Sequence, residues 1–477
     1  GIMTAGSEEP NAIVQVNDNT DRTEPNVRAT EVEIYEGFEA SSQNCWPSVN
    51  FDIGGINNVI SPFIPAGFYY KTFMWPASFW EKYEYFIRHT AGLGKSPKKK
   101  DPDIYDHRYV HCDVLVVGAG ISGILAAKNA AKNNLKTLLV DEKNELGGTT
   151  IYQNREFNKI DNESSSDWLK KEIKELKNIK NLEVKTRTSV AAYHGYNYLL
   201  ARENLTDHLE KKDKQRKIRQ RLLKIRAKKV ILATGALERP LIFNNNDRPG
   251  IMLSSAVKKY VNFYGVVCGK KTVFFTNNDS AYESALCLHN KGIKVEAIID
   301  IRDNSDSKIV KAVKDAGVKI YWSHTIVDTR GYRRLNNISV MRLSKDGLSV
   351  TENKINISCN CLGVSGGWTP AVHLFTQSGG KLSFDEENNI FLPNKYPSKQ
   401  ISIGSCNGDF KINEIIKNLS KKLKDFLKIE HTDFDNINVD SDEEKSKRNI
   451  WLLPSDKPIG KTKPFVDYQN DATATDI

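Results

Sequence analysis

The chain has 477 residues, more than one ordinary domain holds, and at 39% hydrophobic, 27% charged and 9% aromatic it has a globular composition, not a disordered one. Its net charge of +10 is spread along the whole length, and the dense run at 211–229 holds no aromatic residue; we read it as a solvated loop between Leu209 and Leu222, not as a nucleic-acid surface. The richest apolar stretch, 59–80, is broken by Pro62, Pro65, Lys71 and Pro76 and is no membrane span, and seven cysteines without a C-x-x-C exclude a disulfide framework and a zinc ribbon and fit a reducing cytoplasm.

Residues 1–37 alternate apolar and polar positions, as at 12–16 and 29–35, and read as the last strands of a small β-rich domain. From 38 to 107 the chain is an aromatic, proline-rich connecting arm. Trp46, Phe68, Tyr69, Tyr70, Phe73, Trp75, Phe79 and Trp80 are too many to leave in water; they pack on this same chain, the expected outcome, or on a partner.

Residues 112–117 form an apolar strand that enters Gly118-Ala119-Gly120-Ile121-Ser122-Gly123 and a helical pattern, and 135–140 is a second strand closed by Asp141. This is the strand, glycine turn, helix and strand of a dinucleotide-binding unit. Gly118 permits the turn, Gly120 lets main chain approach a pyrophosphate, and Gly123 lets the helix sit close on the strand. The helix N-terminus offers free N–H groups to the phosphates, and Asp141, 18 residues past the last glycine, suits ribose hydroxyls and disfavours a 2′-phosphate. The ligand is therefore NAD or FAD, not NADP.

A second glycine turn at Gly147-Gly148-Thr149 follows, then a helix carrying Leu169, Ile173 and Leu176 and a strand over 182–190. The buried strand at 229–232 then enters Ala233-Thr234-Gly235, small residues beside the cofactor. A second βαβ-like unit occupies 272–300, but Asn277, Asn278 and Asp279 stand where glycines would be, so the fold repeats while the ligand site does not. That argues against a simple pyridine nucleotide-disulphide reductase. A late strand from 400 enters a glycine turn at Gly404 and a helix over 412–427, returning to the first sheet to close the pocket. Cys359 and Cys361 read as buried free thiols on one face of a strand. The fold class is thus α/β, with two Rossmann-like dinucleotide-binding domains: 108–240 plus 360–430, and a degenerate 241–359. His107, His111, His194, His289 and His373 are scattered; no catalytic residue and no metal cluster is assigned.

Several segments carry a resemblance that goes beyond nucleotide binding. Gly1-Ile2-Met3-Thr4-Ala5-Gly6-Ser7-Glu8-Glu9-Pro10-Asn11, Ala233-Thr234-Gly235-Ala236-Leu237-Glu238-Arg239-Pro240-Leu241, Gly366-Gly367-Trp368-Thr369-Pro370 and Phe465-Val466-Asp467-Tyr468 resemble the alpha subunits of heterotetrameric sarcosine oxidases. The resemblance implies an amino-terminal ferredoxin-like domain, of which 1–37 is a remnant, and a region that holds NAD. It also implies a tetrahydrofolate-binding domain beyond a linker at 431–477; the chain, starting at Gly1 and ending where 474–477 read as the beginning of a helix, is then an internal portion of a longer polypeptide. FAD, where sarcosine is oxidised, resides on the beta subunit and covalent FMN near the alpha–beta interface; gamma and delta subunits complete the heterotetramer, and oxygen becomes hydrogen peroxide. By motif match the cofactor would meet Gly118, Ala119, Gly120, Ser122, Gly123, Asp141, Glu142, Lys143, Gly148, Thr149, Val190, Ala233, Thr234, Gly235, Gly404 and Cys406. The alternative is an FAD-binding subunit of a proline, opine or cyanide-forming dehydrogenase.

Overall fold

The structure, a computed structural model, describes residues 13–17, 23–56, 75–153, 157–210, 217–441, 448–468, 470 and 472–477. Strands β1 (Ile13–Asn17), β2 (Thr23–Arg28) and β3 (Glu39–Ser42) make a small antiparallel sheet in the order β2-β1-β3. That sheet reaches Ser42, past the boundary expected at 37, while 29–31 is a short 3-10 turn and not part of a strand. It is fastened to the rest by ion pairs: Arg187 holds Glu33 at 2.6 Å, and Arg219 bonds Glu24 as well as Asp103 and Asp207.

The arm follows, with helix α1 (Trp80–Thr90), which buries no residue. The expectation that the arm's aromatics pack on this chain fails where it can be tested: Trp46, Trp75, Phe79 and Trp80 are 69, 83, 45 and 42% exposed, because their segment lies outside the sheet layers. Phe68, Tyr69, Tyr70 and Phe73 lie outside the described residues.

The first α/β unit begins with β4 (Ile104–Val117), α2 (Ile121–Lys132) and β5 (Thr137–Val140). It continues through α3 (Ser165–Leu176), β6 (Leu182–Lys185), β7 (Thr188–His194), β8 (Tyr198–Asn204) and β9 (Ile218–Leu232). One sheet joins them in the order β6-β5-β4-β9-β8-β7; β6, β5, β4 and β9 are parallel and β8 and β7 antiparallel. Val114, Leu115 and Val116 are wholly buried, the continuous apolar run that a strand covered on both faces requires. The strand expected over 182–190 is two strands, broken where Arg187 takes a positive φ of 52°. The basic run is not a loop from Ile218 onward. It is the longest strand among the described residues, with some of its cations paired to acids, Arg221 with Asp106 at 3.0 Å and Lys228 with Asp113 at 2.7 Å, while Arg226 and Lys229 donate to the Tyr196 and Phe426 carbonyls. Residues 211–216 lie outside the described residues.

The link to the second unit is β10 (Ala236–Glu238). That unit comprises β11 (Ile251–Leu253), α4 (Ser254–Asn262), β12 (Thr272–Thr276), α5 (Ser280–Asn290), β13 (Val295–Asp300) and β14 (Ile320–Trp322), then β15 (Cys361–Ser365) and β16 (Trp368–Pro370). Five strands form a parallel sheet in the order β11-β15-β12-β13-β14, and β10 pairs antiparallel with β16. An antiparallel three-stranded sheet over 324–358 packs beside it. Cys359 and Cys361 are both buried and free, but Cys359 precedes β15 and lies outside it. Finally β17 (Gln400–Ser402) returns to pair parallel with β9, and α7 is the helix Ile412–Leu427, preceded by α6 (His373–Gln377). Residues 474–476 form a turn in place of the helix start read there. Among the described residues no helix is long and apolar enough to cross a membrane.

Two buried charges shape the second unit. Arg302, 2% exposed, pairs with Asp300 at 2.7 Å and Asp279 at 2.8 Å, and the Tyr282 hydroxyl donates to Asp300 at 2.7 Å. Glu238 accepts from the Ser255 N–H at 2.8 Å at the start of α4, and burial raises its carboxyl above the usual range. Arg302→Met strands two carboxylates and is expected to cost about 3–5 kcal/mol; with Asp300→Asn added, the loss falls at least about 1 kcal/mol short of the sum of the two single changes. Denaturant unfolding checks this, and strict additivity contradicts it. For Glu238, a folded-state pKa above the unfolded value means that stability falls as pH rises from the ordinary carboxylate range through the folded pKa. The stability of Glu238→Gln relative to wild type should therefore grow as pH rises above the ordinary carboxylate range, as read by melting curves.

Candidate functional site

A cavity of about 1040 Å³ opens between the two units, at the upper end of the range for ligand pockets. Its floor is the turn between β4 and α2. Gly118 holds a φ of +98°, and a Cβ on it would meet the Ala233 carbonyl oxygen at 2.3 Å, so only glycine fits. A Cβ on Gly123 would lie 1.8 Å from the Gly118 oxygen; its absence is what lets α2 dock on the strand ends. A Cβ on Gly120 meets nothing within 4 Å. The space in front of Gly120 is thus an empty cradle at a helix N-terminus that no side chain caps.

Asp141 fixes this turn. One carboxylate oxygen accepts the Ala119 N–H at 2.6 Å and the other the Lys143 N–H at 2.8 Å; desolvation nevertheless raises its pKa. The carboxylate lines the cavity with lone pairs to spare for hydroxyl donors. Glu142 and Lys143 pair with each other at 3.0 Å on the rim. The second glycine turn closes against the first, the Gly147 N–H donating to the Ala119 carbonyl at 2.8 Å.

Of the residues expected at the cofactor, the cavity wall contains Gly118, Gly120, Ser122, Asp141, Glu142, Lys143, Gly148, Thr149, Val190, Ala233, Thr234 and Gly235. Four stand behind it. Ala119 presents its N–H to Asp141, and Gly123 is spent on helix packing. Gly404 abuts Ser122, whose Oγ a Cβ would meet at 2.2 Å, and the Cys406 thiol turns inward to the Leu232 and Ile403 carbonyls, each at 3.2 Å. Ser405, between these two, faces the cavity in their place.

Sequence reasoning missed the other wall. Tyr152, Glu238, Arg239, Lys258, Trp368 and Trp451 line it, as does His373, read as merely scattered. Glu238 and Arg239 stand in the segment that carries the family resemblance, which was the available signal. In the second unit the place of a nucleotide fingerprint is filled from within: the Asn278 side-chain oxygen caps the Ser280 N–H at 2.9 Å, and Arg302 occupies Asp279 and Asp300. Asp279, expected to repel a phosphate, lines the cavity and pairs with Arg302 at 2.8 Å, an arginine it shares with Asp300. Among the described residues no cluster of three or more His, Cys, Asp or Glu is arranged to hold a metal.

Residues 112–401 match the family model described as pyridine nucleotide-disulphide oxidoreductase. The chain is 36% identical to sarcosine oxidase subunit alpha of Rhizobium meliloti (strain 1021), over 100% of this chain and 47% of that one. It is 35% identical to sarcosine oxidase subunit alpha of Corynebacterium sp. (strain P-1), over 81% of this chain and 40% of that one. It therefore spans less than half the length of these relatives. Thioredoxin reductase of T. acidophilum superposes with a TM-score of 0.50 at 16% identity, covering 66% of this chain and 97% of that one, a likeness of fold alone. The absence of any C-x-x-C separates fold from activity here: the two-unit architecture is present without a redox-active cysteine pair of that spacing. With the glycine turn, its acid and the paired sheets in place, the chain belongs to the pyridine nucleotide-disulphide oxidoreductase family, and it resembles part of the length of sarcosine oxidase alpha subunits.

Proposed function

We propose that this chain acts as the dinucleotide-holding part of a sarcosine oxidase alpha subunit, with NAD in the cleft. The observation that carries the reading is the open cradle at Gly120, set at an uncapped helix N-terminus with Asp141 beside it. The main-chain N–H groups at the start of α2 would take the pyrophosphate, helped by the positive end of the helix. Asp141 would accept the ribose hydroxyls, and the Thr149 hydroxyl would add a polar contact; a carboxylate at that place opposes the extra charge of a 2′-phosphate. Bound NAD supplies a ring that can accept or return a hydride. Sarcosine demethylation to glycine would take place at FAD on a beta subunit, with covalent FMN at the interface, gamma and delta subunits in the assembly, peroxide as the product from oxygen, and tetrahydrofolate receiving the one-carbon unit.

Heat-released extract of the pure chain is expected to contain about one equivalent of NAD by mass spectrometry. FAD in its place would favour an amino-acid dehydrogenase subunit, and the absence of any adenine compound would refute the reading. Peroxide formation from sarcosine is expected only when a beta subunit is present. Two glycine variants separate fold from ligand. Gly120→Ser places an N-cap hydroxyl in the cradle, so its stability holds or rises by up to about 1 kcal/mol while retained nucleotide falls roughly tenfold or more. Gly123→Ala drives a Cβ into main chain and loses about 1–3 kcal/mol in thermal unfolding.

A further inference from the structure

Across the cleft from the glycine turn stands a cation that the fold immobilises without neutralising. Arg239 lines the cavity, and its guanidinium lies 4.3 Å from the Trp451 ring centroid. One of its terminal nitrogens donates to the Asn389 carbonyl at 2.9 Å, while Nε is buried without a partner. No carboxylate among the described residues pairs with it, and burial alone lowers its pKa. The acid next to it in sequence forms no ion pair with it: one Glu238 oxygen accepts the Ser255 N–H and the other is buried without a hydrogen-bond partner. The cation across the same wall, Lys258, is already paired with Glu283 at 2.9 Å.

The surroundings hold the guanidinium in place. The Arg239 N–H donates to the Gly367 carbonyl at 2.8 Å, the Gly366 N–H to the Arg239 carbonyl at 2.6 Å, and the Trp451 indole to the Gly366 carbonyl at 2.6 Å. A Cβ at Gly366 would strike the Pro240 and Arg239 carbonyl oxygens at 2.8 and 3.0 Å, so this close bracket depends on glycine. A stack on Trp451 leaves the edge of the guanidinium plane for hydrogen bonding. The partnerless Nε and the second terminal nitrogen, which no described residue bonds, are the two parallel donors on one side of the fork; Nε is buried, so a carboxylate meets the terminal nitrogen first.

We infer that Arg239 is the anchor of a second subsite in the cleft, one that binds a small organic monocarboxylate against the walls of Trp451 and Trp368. A single, otherwise unneutralised cation matches a single negative charge, and two indoles suit an organic acid better than a hydrated phosphate. Arg239 and Gly120 line the same cavity, and Arg239 is six residues beyond Ala233, the residue against Gly118, so at most about 20 Å of extended chain separates Arg239 from Ala233. A carboxylate held there would face the non-adenosine half of a dinucleotide bound at Gly120. That last placement rests on the reading above; binding at Arg239 does not.

The test is ligand-observed NMR of acetate with the 477-residue chain, with inorganic phosphate as competitor and nucleotide content measured separately by mass. Acetate is expected to bind saturably, phosphate to displace it no better than chloride does, and Arg239→Met to lose roughly tenfold or more in acetate affinity with nucleotide content unchanged. Arg239→Gln keeps a donor for the Asn389 carbonyl but drops the charge; it should show the same loss and serves if the methionine variant does not fold. Arg239→Lys, with charge but no fork, should fall between. Unchanged acetate affinity in the folded variants, no saturable binding to the wild type, or stronger binding of phosphate than of acetate each overturns the inference. Loss of nucleotide alone counts against the dinucleotide reading and leaves the acetate result to stand by itself.

Discussion

The site depends on one close approach, that of the Gly118–Gly123 turn to the Ala233 main chain. With Cβ positions falling 2.3 Å from the Ala233 oxygen and 1.8 Å from the Gly118 oxygen, neither glycine tolerates a side chain. Because both lack one, α2 settles with its N-terminus directly over the end of β4, and N–H groups that would otherwise be screened are presented to the cleft. Asp141 is the fastening. Its two oxygens take N–H groups from the turn before it and from Lys143 after it, so the acid first builds the turn and then presents its remaining lone pairs to the cavity. Two backbone donors offset part of the desolvation that raises its pKa, which is how a carboxylate can be held there at all.

The two α/β units show how one topology can keep or lose a ligand site. Asp141 and Asp300 both end the second strand of a strand-helix-strand unit. Asp141 meets only backbone N–H groups and keeps a face on the cavity. Asp300 is fully buried and meets Arg302 and the Tyr282 hydroxyl. An arginine two residues along the chain thus converts a potential ribose acceptor into half of an internal ion pair, and Asn278 caps the helix that would have faced phosphate. Burying such charges is costly unless their donors and acceptors are answered; Asp300, Arg302 and Tyr282 answer one another from within the unit, while one Asp279 oxygen stays buried without a hydrogen-bond partner.

What was legible in the sequence was local and periodic. The glycine turn with its flanking strands and the helix at Ile412–Leu427 follow from apolar runs and turn residues within a few positions of each other, and the return of 400–402 to the first sheet from the topology such two-unit folds share. The outer halves of β4 and β9 were not legible, because their charged residues look like a solvated loop until one sees that Arg219 and Arg221 are answered by Asp103, Asp106, Asp207 and Glu203, acids far away in sequence. The same distance hid half of the cavity. Gly404 and Cys406 sit in a turn of the right kind, yet a rotation of one residue decides that Ser405 faces the cleft, and only packing against Ser122 and Leu232 sets that rotation.

The net charge of +10 shows why counting cations says little about partners. Part of the basic surplus in β9 is consumed in ion pairs, Arg219 bonding Asp103 and Asp207 as well as Glu24, the one pair among the described residues from β9 to the small amino-terminal sheet. Exposed pairs of this kind contribute little each, but Arg219 and Arg221 are only 11 and 12% exposed and share acids across three segments of chain, so they act as a partly buried network. A cation matters for recognition where the fold leaves it unanswered in a place a ligand can reach. Along the cleft, Lys258 is answered by Glu283 and Lys143 by Glu142, whereas Arg239 is held by a tryptophan face and a backbone carbonyl, which fix its direction without cancelling its charge.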